Sequence, residues 1–148
     1  MKLATAVILS YNRQDSLRRQ LLYHANKPVH LIFADGSDRD WGSGESGSIG
    51  EMTWEYFRIS GKYTYFRRMA EALRRVNTEF VFRLDDEECI LWTGLQKAAV
   101  YLSNNSDHSC AGGRCDTTSL SGRRLSLFPH YANNRKLKLD ESDTISRI

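Results

Sequence analysis

The sequence predicts an α/β domain built on a mostly parallel sheet with flanking helices. Three short apolar runs end in polar residues and are typical of strands buried on both faces. Helical patterns alternate with these runs, as parallel strands joined by crossover helices require. With 41% hydrophobic and 26% charged residues among 148, the chain has the balance of one ordinary globular domain, and it is long enough to bury a core without disulfides.

The first part of the chain predicts a strand–helix–strand unit. Residues 4–10 (ATAVILS) and 29–34 (VHLIFA) are short apolar runs with β-branched residues, so both are expected to be buried strands. Between them, Asp15 or Ser16 is expected to cap a helix that ends at Asn26 and Pro28. Such a unit implies two parallel strands joined by a right-handed crossover.

Residues 39–62 are the least regular part of the chain and are predicted to form a loop. Gly42, Gly44 and Gly47 have the spacing GxGxxG, which indicates a dinucleotide site only between a strand and a helix. No helical pattern follows these glycines, so we reject that interpretation. We expect a mobile loop, with a lid over a ligand crevice as the alternative.

The helical period returns at Tyr65. A third strand is predicted over residues 80–84 (FVFRL), and a further helix is expected to begin at a Thr93 cap and to end at Asn104. Residues 120–128, around Ser121-Gly122, are typical of a hairpin. The inward face of the helix that begins at Tyr65 is expected to consist of Phe66, Met69, Ala70, Leu73 and Val76.

Polar segments follow all three predicted strands, at residues 10–13 (SYNR), 35–38 (DGSD) and 85–88 (DDEE). Ligands of parallel sheets bind beyond the carboxyl ends of the strands. If the strands are correct, the three segments line one crevice. The sequence therefore predicts a ligand site there.

The four consecutive carboxylates of residues 85–88 would repel one another unless a cation or positive side chains lay among them. In a strand-like segment Asp85 and Glu87 point the same way, so they could hold one divalent cation. The alternative is a solvated acidic turn before a helix, where acidic residues are favoured in any case.

Three other residues have both a functional and a structural interpretation. Asp35 could accept hydrogen bonds from a base or ribose and Tyr11 could stack on a base, but Asp-Gly is also a common turn pair, and alone the turn is favoured. Arg68 could reach a phosphate from a helix beside the crevice, or lie on a solvated helix face.

Composition excludes several classes of protein. A net charge of +3, with acidic residues at the crevice, argues against a nucleic-acid binder. No apolar run approaches the length of a membrane span. Three cysteines without a CxxC pair suit a reducing cytosol, so a cytoplasmic protein is expected.

Taken together, VILSYNR, FADGSD and YTYFRRMAEALRRVNTEFVFRLDDEECILWTGL resemble the family 2-type glycosyltransferases of the GT-A fold. The resemblance covers about residues 3–113, and it rests on the order and spacing of the three segments. It implies a GT-A-like fold with a Rossmann-like nucleotide-binding half. It also implies transfer of a sugar from a nucleotide-diphosphate sugar to a hydroxyl acceptor.

The resemblance assigns roles to the residues at the strand ends. Ser10, Tyr11 and Asp35 would hold the nucleobase, usually uracil, so a UDP-sugar is the expected donor, and Arg68 would approach the nucleotide. The family's DxD motif falls on Asp85-Asp86-Glu87, where Asp85 and Asp86 would bind the donor and Asp85 and Glu87 would hold Mn²⁺ or Mg²⁺. Glu87 stands where the family has Asp, and Trp92 stands where it has Pro.

Family members also carry an acceptor-binding half, with a carboxylate that acts as general base, beyond this motif. We expect residues 1–113 to be the nucleotide-sugar-binding domain and residues 114–148 to be only a partial acceptor-side segment, so that the chain is truncated or compact. The catalytic base is unassigned, and its candidates are Asp140, Glu141 and Asp143. An oligomer or a partner is expected to cover missing core.

Two alternatives to a glycosyltransferase follow from these patterns. The first is a truncated, catalytically inactive nucleotide-binding or interaction domain, which the missing acceptor half favours. The second is a phosphohydrolase that uses the turn at Asp35. It ranks lower, because Phe33 stands where the nucleophilic aspartate is expected.

Overall fold

The computed structural model describes residues 2–40, 42, 44–60, 62–113, 116–121 and 124–129, the last two stretches as backbone. The chain divides into two compact units, residues 1–109 and 110–148. The described strands of the first unit are β1 (Ala4–Ser10), β2 (Val29–Asp35), β3 (Ser46–Ile49), β4 (Met52–Arg58) and β5 (Phe80–Asp85). Its helices are α1 (Gln14–His24), α2 (Tyr65–Leu73) and α3 (Trp92–Asn104).

The five strands form one mixed sheet in the order β3-β4-β2-β1-β5. Strands β4, β2, β1 and β5 are parallel, and β3 is antiparallel to β4. The predicted α/β class with a mostly parallel sheet is therefore confirmed. Within this register Ser10 lies opposite Asp35, and Leu9 lies opposite Asp85.

Strand β1 is the centre of the core, and every residue in it is buried. Alternate side chains point to opposite faces of the sheet. Ala6 and Ile8 pack in a first core with Leu17 of α1, whereas Val7 and Leu9 pack in a second core that includes Ala72 of α2. Helices α1 and α2 therefore cover opposite faces, and β1 lies between them.

The prediction that residues 39–62 form an irregular loop is wrong, because β3 and β4 lie within it. Strand β4 (MTWEYFR) is interrupted by polar residues and β3 (SGSI) is short and exposed, so neither forms the apolar run by which β1 and β2 were predicted. The aromatic residues Trp54, Tyr56 and Phe57 give a β-strand signal that could have found this strand. The GxGxxG segment itself runs into a strand, β3, which begins at Ser46, and β4 rather than a helix comes next.

Two predicted helix starts are also wrong. Helix α1 begins at Gln14, and its N-cap residue is Arg13 rather than Asp15 or Ser16. Helix α3 begins at Trp92, and its N-cap residue is Leu91 rather than Thr93. Neither N-cap side chain makes a capping hydrogen bond. The left-handed backbone at Asn12, with φ of 54°, turns the chain directly from β1 into α1, which leaves no room for a later start. The predicted helix ends before Asn26 and at Asn104 are confirmed.

Helix α2 presents a different inner face from the one predicted. Met69 and Val76 pack against the second core, as predicted, but Phe66 and Leu73 are 80% and 43% exposed, and the fully buried residue of the helix is Ala72. The helix is rotated so that a small residue faces β1 and β2, which lets the backbone approach the sheet closely. Hydrophobic periodicity alone did not distinguish these two rotations.

The second unit contains an antiparallel hairpin of β6 (Asp116–Ser121) and β7 (Arg124–Pro129), in which Ser121 pairs with Arg124. The predicted hairpin is confirmed. The candidate bases Asp140, Glu141 and Asp143 lie outside the described residues.

Other surface features of the described residues bear on partners. In the part of the chain that the structure covers, no helix combines the length and apolar character needed to cross a membrane. Several large apolar side chains are exposed. They include Phe66, Leu91, Val100 and Val81, which are 80%, 74%, 60% and 48% exposed. A partner or second copy that covers such surface stays a prediction.

Candidate functional site

The three polar segments lie at one edge of the sheet. Strands β2, β1 and β5 are adjacent and parallel, so their carboxyl ends, at Asp35, Ser10 and Asp85, lie side by side. After β1 the chain forms β2 on one side of that strand, and it later returns to form β5 on the other side. Ligand crevices of α/β sheets form at such a switch point.

Asp35 is fully buried and ties the ends of three strands together. Its Oδ1 accepts hydrogen bonds from the Ser10 hydroxyl at 2.7 Å, the Ser37 hydroxyl at 2.6 Å and the Ser37 amide at 3.2 Å. Its Oδ2 accepts one from the Tyr56 hydroxyl at 2.7 Å. A base would reach Asp35 or Ser10 only after one of these hydroxyls turned away, so their predicted contact with a nucleobase stays a prediction.

Tyr11 lies on the outer side of this network and is 48% exposed. Its hydroxyl donates to Asp38 at 3.3 Å. The loop beneath it is held firmly, because Arg58 donates to the carbonyls of Ser37 and Asp38 at 2.7 and 2.9 Å. An exposed aromatic ring on a fixed loop can stack on a base, which is the role predicted for Tyr11.

Arg68 reaches the same edge from α2. Its Nη1 donates to the carbonyl of Ser10 at 3.2 Å, and a Cβ added at Gly36 would lie 2.2 Å from that nitrogen. Its Nε is buried and has no hydrogen-bond partner, and its guanidinium has no salt bridge with any carboxylate of the described residues. Among the described residues Arg68 thus has no anionic partner, and it lies beside the exposed ring of Tyr11.

The acidic segment forms a tight turn rather than a continuation of β5. The Glu88 amide donates to the Asp85 carbonyl at 3.0 Å. Asp85 contacts Arg83 at 2.5 Å, and Glu88 accepts from the Asp85 amide at 2.9 Å. Positive side chains and a turn amide therefore relieve the repulsion among the four carboxylates. The sequence predicted that either a cation or positive side chains would do so.

Arg13 is the central cation of this turn. Its Nη1 lies 3.1 Å from Asp86 Oδ1 and 2.7 Å from Glu87 Oε2. These carboxylates raise the pKa of Arg13, with the hydrogen bond to Glu87 as the largest cause. Burial raises the pKa of Asp86, which is 6% exposed, and the positive charge of Arg13 opposes that rise.

Side chains of helix α1 also hold the acidic turn in place. The Gln20 amide donates to the carbonyls of Asp86 and Glu88 at 3.2 and 2.6 Å, and the Tyr23 hydroxyl donates to the carbonyl of Ile90 at 2.8 Å. Sequence reasoning missed Gln20 and gave Arg13 no role of its own. A polar residue one turn after Leu17 on the inner helix face is the signal that could have found Gln20.

The carboxylates have the right chemistry for Mn²⁺ or Mg²⁺ but not the right arrangement. Asp85 contacts Arg83, whereas Glu87 shares Arg13 with Asp86, so the two predicted ligands do not converge. Among the described residues, no group of three or more acidic, histidine or cysteine side chains is placed to hold an ion. The metal remains a prediction from the resemblance, and this arrangement does not fit it.

An open cleft of about 570 Å³ lies between the start of α1 and the acidic turn. The charged side chains that line it are those of Arg13, Arg18, Arg19, Asp15 and Glu87. Arg13 pairs with Glu87 and Arg18 lies 3.7 Å from Asp15, so Arg19 is the arginine of this cleft that has no carboxylate partner among the described residues and could attract an anionic group.

Comparison of the chain with models of known protein families gives no match, and comparison with curated proteins gives none either. The assignment of function therefore depends on the residues at the carboxyl edge of the sheet.

Proposed function

We propose that this chain binds a nucleotide-diphosphate sugar, with a UDP-sugar as the first candidate, and transfers its sugar to a hydroxyl acceptor. The observation that carries the proposal is the position of the exposed Tyr11 ring beside the Arg68 guanidinium, which has no salt bridge with a described residue, at the switch point of the sheet. A stacking surface beside such a cation suits a base followed by phosphates. The resemblance to family 2-type glycosyltransferases supports the same conclusion.

Each residue of the crevice has a role in this proposal. Tyr11 stacks on the base, and Asp35 acts as a positioning residue that fixes the ends of β1, β2 and β4. Arg68 binds the diphosphate, whose negative charge grows as the bond to the sugar breaks. Donors placed where charge develops accelerate such a step.

The transfer itself is a direct displacement. The acceptor oxygen forms a bond to the anomeric carbon, the bond from that carbon to the diphosphate oxygen breaks, and the diphosphate leaves with the electron pair. The acceptor hydroxyl loses its proton to a base that is not assigned to a described residue.

Ligand-induced stabilisation tests donor binding. UDP, GDP, dTDP and their sugars are added to the purified chain, and a ligand that binds only the folded state raises its melting temperature. Tyr11→Ala is expected to abolish the shift. Tyr101→Ala, which removes a ring of similar exposure (45%) from α3, is the control and is expected to keep it. If no nucleotide shifts a cooperative transition, the proposal is wrong.

A second candidate is a binding domain without catalysis. It is favoured because the carboxylates at this edge already have partners. Asp35 accepts hydrogen bonds from hydroxyls, and three others contact arginines: Asp85, Asp86 and Glu87. None of these is ready to accept a proton from an acceptor hydroxyl. Release of free sugar or a glycosylated product by the purified chain would exclude this candidate, whereas binding without turnover would favour it.

A further inference from the structure

Two arginines approach the carboxyl edge of the sheet from opposite faces. Arg13 directly precedes α1, whose Leu17 belongs to the first core, and Arg68 lies on α2, whose Ala72 belongs to the second core. Between them are the ends of the central strands: Arg68 donates to the Ser10 carbonyl at the end of β1, and Arg13 contacts Asp86 and Glu87, which follow β5.

Arg13 pairs with Glu87, one of the two residues that the resemblance gives as metal ligands, and with Asp86, which it gives as a donor-binding residue. Its Nη1 contacts Asp86 and Glu87 at 3.1 and 2.7 Å. A divalent cation bound to Glu87 would be a like charge at short range from this guanidinium, which is unfavourable. The arginine and a cation would thus compete for the same oxygens.

Arg13 nevertheless retains hydrogen-bond donors for a ligand. Both contacts use Nη1, while Nη2 and Nε make no hydrogen bond to a described residue, and the side chain is 52% exposed. It borders the cleft that also contains Arg19, which has no salt bridge with a described residue. A guanidinium can donate two parallel hydrogen bonds to a phosphate, so the free side of Arg13 suits a diphosphate oxygen pair.

From these contacts we propose that Arg13 and Arg68 together supply the positive charge that binds the diphosphate, so that nucleotide binding needs no divalent cation. This inference rests on the proposed function and deepens it. Asp86 and Glu87 then act as positioning residues that hold Arg13 in place, and Glu87 is not a metal ligand.

Isothermal titration calorimetry with UDP, GDP and dTDP, in EDTA and with Mn²⁺, tests the inference. At least one of these nucleotides is expected to bind with equal affinity in both buffers. Arg13→Gln is expected to weaken that binding by about tenfold or more, because a hydrogen bond made by a charged group contributes more to the binding free energy than one between neutral groups. Arg74→Gln is the control, since it removes an exposed arginine of α2 that pairs with Glu71 at 2.6 Å.

Arg13→Lys covers the case in which the glutamine variant does not melt cooperatively. The lysine keeps the charge beside Asp86 and Glu87 but cannot donate two parallel bonds, so it is expected to weaken nucleotide binding while the melting temperature stays near that of the wild type.

The possible outcomes separate this inference from the proposed function. Binding that requires Mn²⁺ overturns the role of Arg13 and leaves the proposed function standing. Metal-free binding that both Arg13 variants leave unchanged also overturns it. If the folded chain binds none of the three nucleotides in either buffer, the proposed function itself fails.

Discussion

The guanidinium of Arg68 passes directly over Gly36, so closely that a Cβ at this glycine would lie 2.2 Å from Nη1. The absence of a side chain at Gly36 therefore leaves room for the arginine. The backbone of Gly36 is not left-handed, so its conformation alone does not call for a glycine. The close approach lets a side chain of α2 reach the carbonyl of Ser10 at the end of β1. The position of Arg68 thus depends on the residue at position 36, in the turn after β2.

Replacement of Gly36 by alanine is expected to displace Arg68 and to weaken nucleotide binding by about tenfold, the loss expected for one hydrogen bond made by a charged group. The flexible end of the arginine can move, so stability should change little. The measurement is the nucleotide dissociation constant together with a denaturation curve.

Gly94→Ala is the matched control for this substitution. Gly94 lies in α3 with no atom near an added Cβ, so alanine there is expected to stabilise the fold by about 0.5–1 kcal/mol and to leave nucleotide binding unchanged. Equal binding by the Gly36 and Gly94 variants would contradict the role of Arg68.

The hydroxyl of Tyr56 is expected to contribute to stability through Asp35. Tyr56→Phe removes the donor to Oδ2 in a fully buried network, so urea denaturation should give a loss of about 1–3 kcal/mol. Tyr101→Phe removes an exposed hydroxyl near His108 and is expected to change stability by less than about 0.5 kcal/mol. Equal effects of the two changes would be inconsistent with a buried network at Asp35.

The contact of Gln20 with the acidic turn predicts a local effect. Gln20→Leu leaves the carbonyls of Asp86 and Glu88 without their side-chain donor, so the turn should open more often. Hydrogen exchange of the Glu88 amide is expected to become faster. Gln96→Leu, at an exposed position of α3, is the control and should leave this amide unchanged. Unaltered exchange in the Gln20 variant would show that the turn does not depend on α1.

His24 predicts a dependence of stability on pH. Burial lowers its pKa from the usual 6.5, the nearby Lys27 adds to that effect, and the bond to the Gln20 carbonyl opposes it. The unfolded chain therefore takes up a proton that the folded chain resists. The contribution of His24 to stability is complete above pH 6.5 and is lost as the pH falls below that value.

Equilibrium unfolding at several pH values measures this effect. His24→Gln is expected to flatten the slope of the unfolding free energy below pH 6.5, and the half-buried His30, whose pKa burial also lowers, accounts for part of what remains. His108→Gln changes an exposed imidazole and serves as the control. A slope that is the same in the His24 variant and the wild type would be the contrary result.

Sequence reasoning located the elements whose signals are local. Strands β1, β2 and β5 are short apolar runs, and Ser121-Gly122 is a turn signal in the sequence between β6 and β7, so each was predicted within a few residues of its bounds. Strand β4 (MTWEYFR) was missed, because polar and charged residues interrupt it and it does not form a continuous apolar run. The inner face of α2 was misassigned, because the rotation of a helix depends on the sheet beneath it.

The sequence by itself determined the α/β class and the meeting of three polar segments at one edge of the sheet, since strand direction follows from the order of the elements. Only the tertiary structure decided what those polar residues do there. It buried Asp35 among hydroxyls, placed Arg68 at the end of β1 with no carboxylate partner among the described residues, and set Arg13 among the carboxylates of the acidic turn. Hydrogen bonds and ion pairs between residues distant in the chain depend on distances of a few ångströms, which spacing along the sequence does not encode.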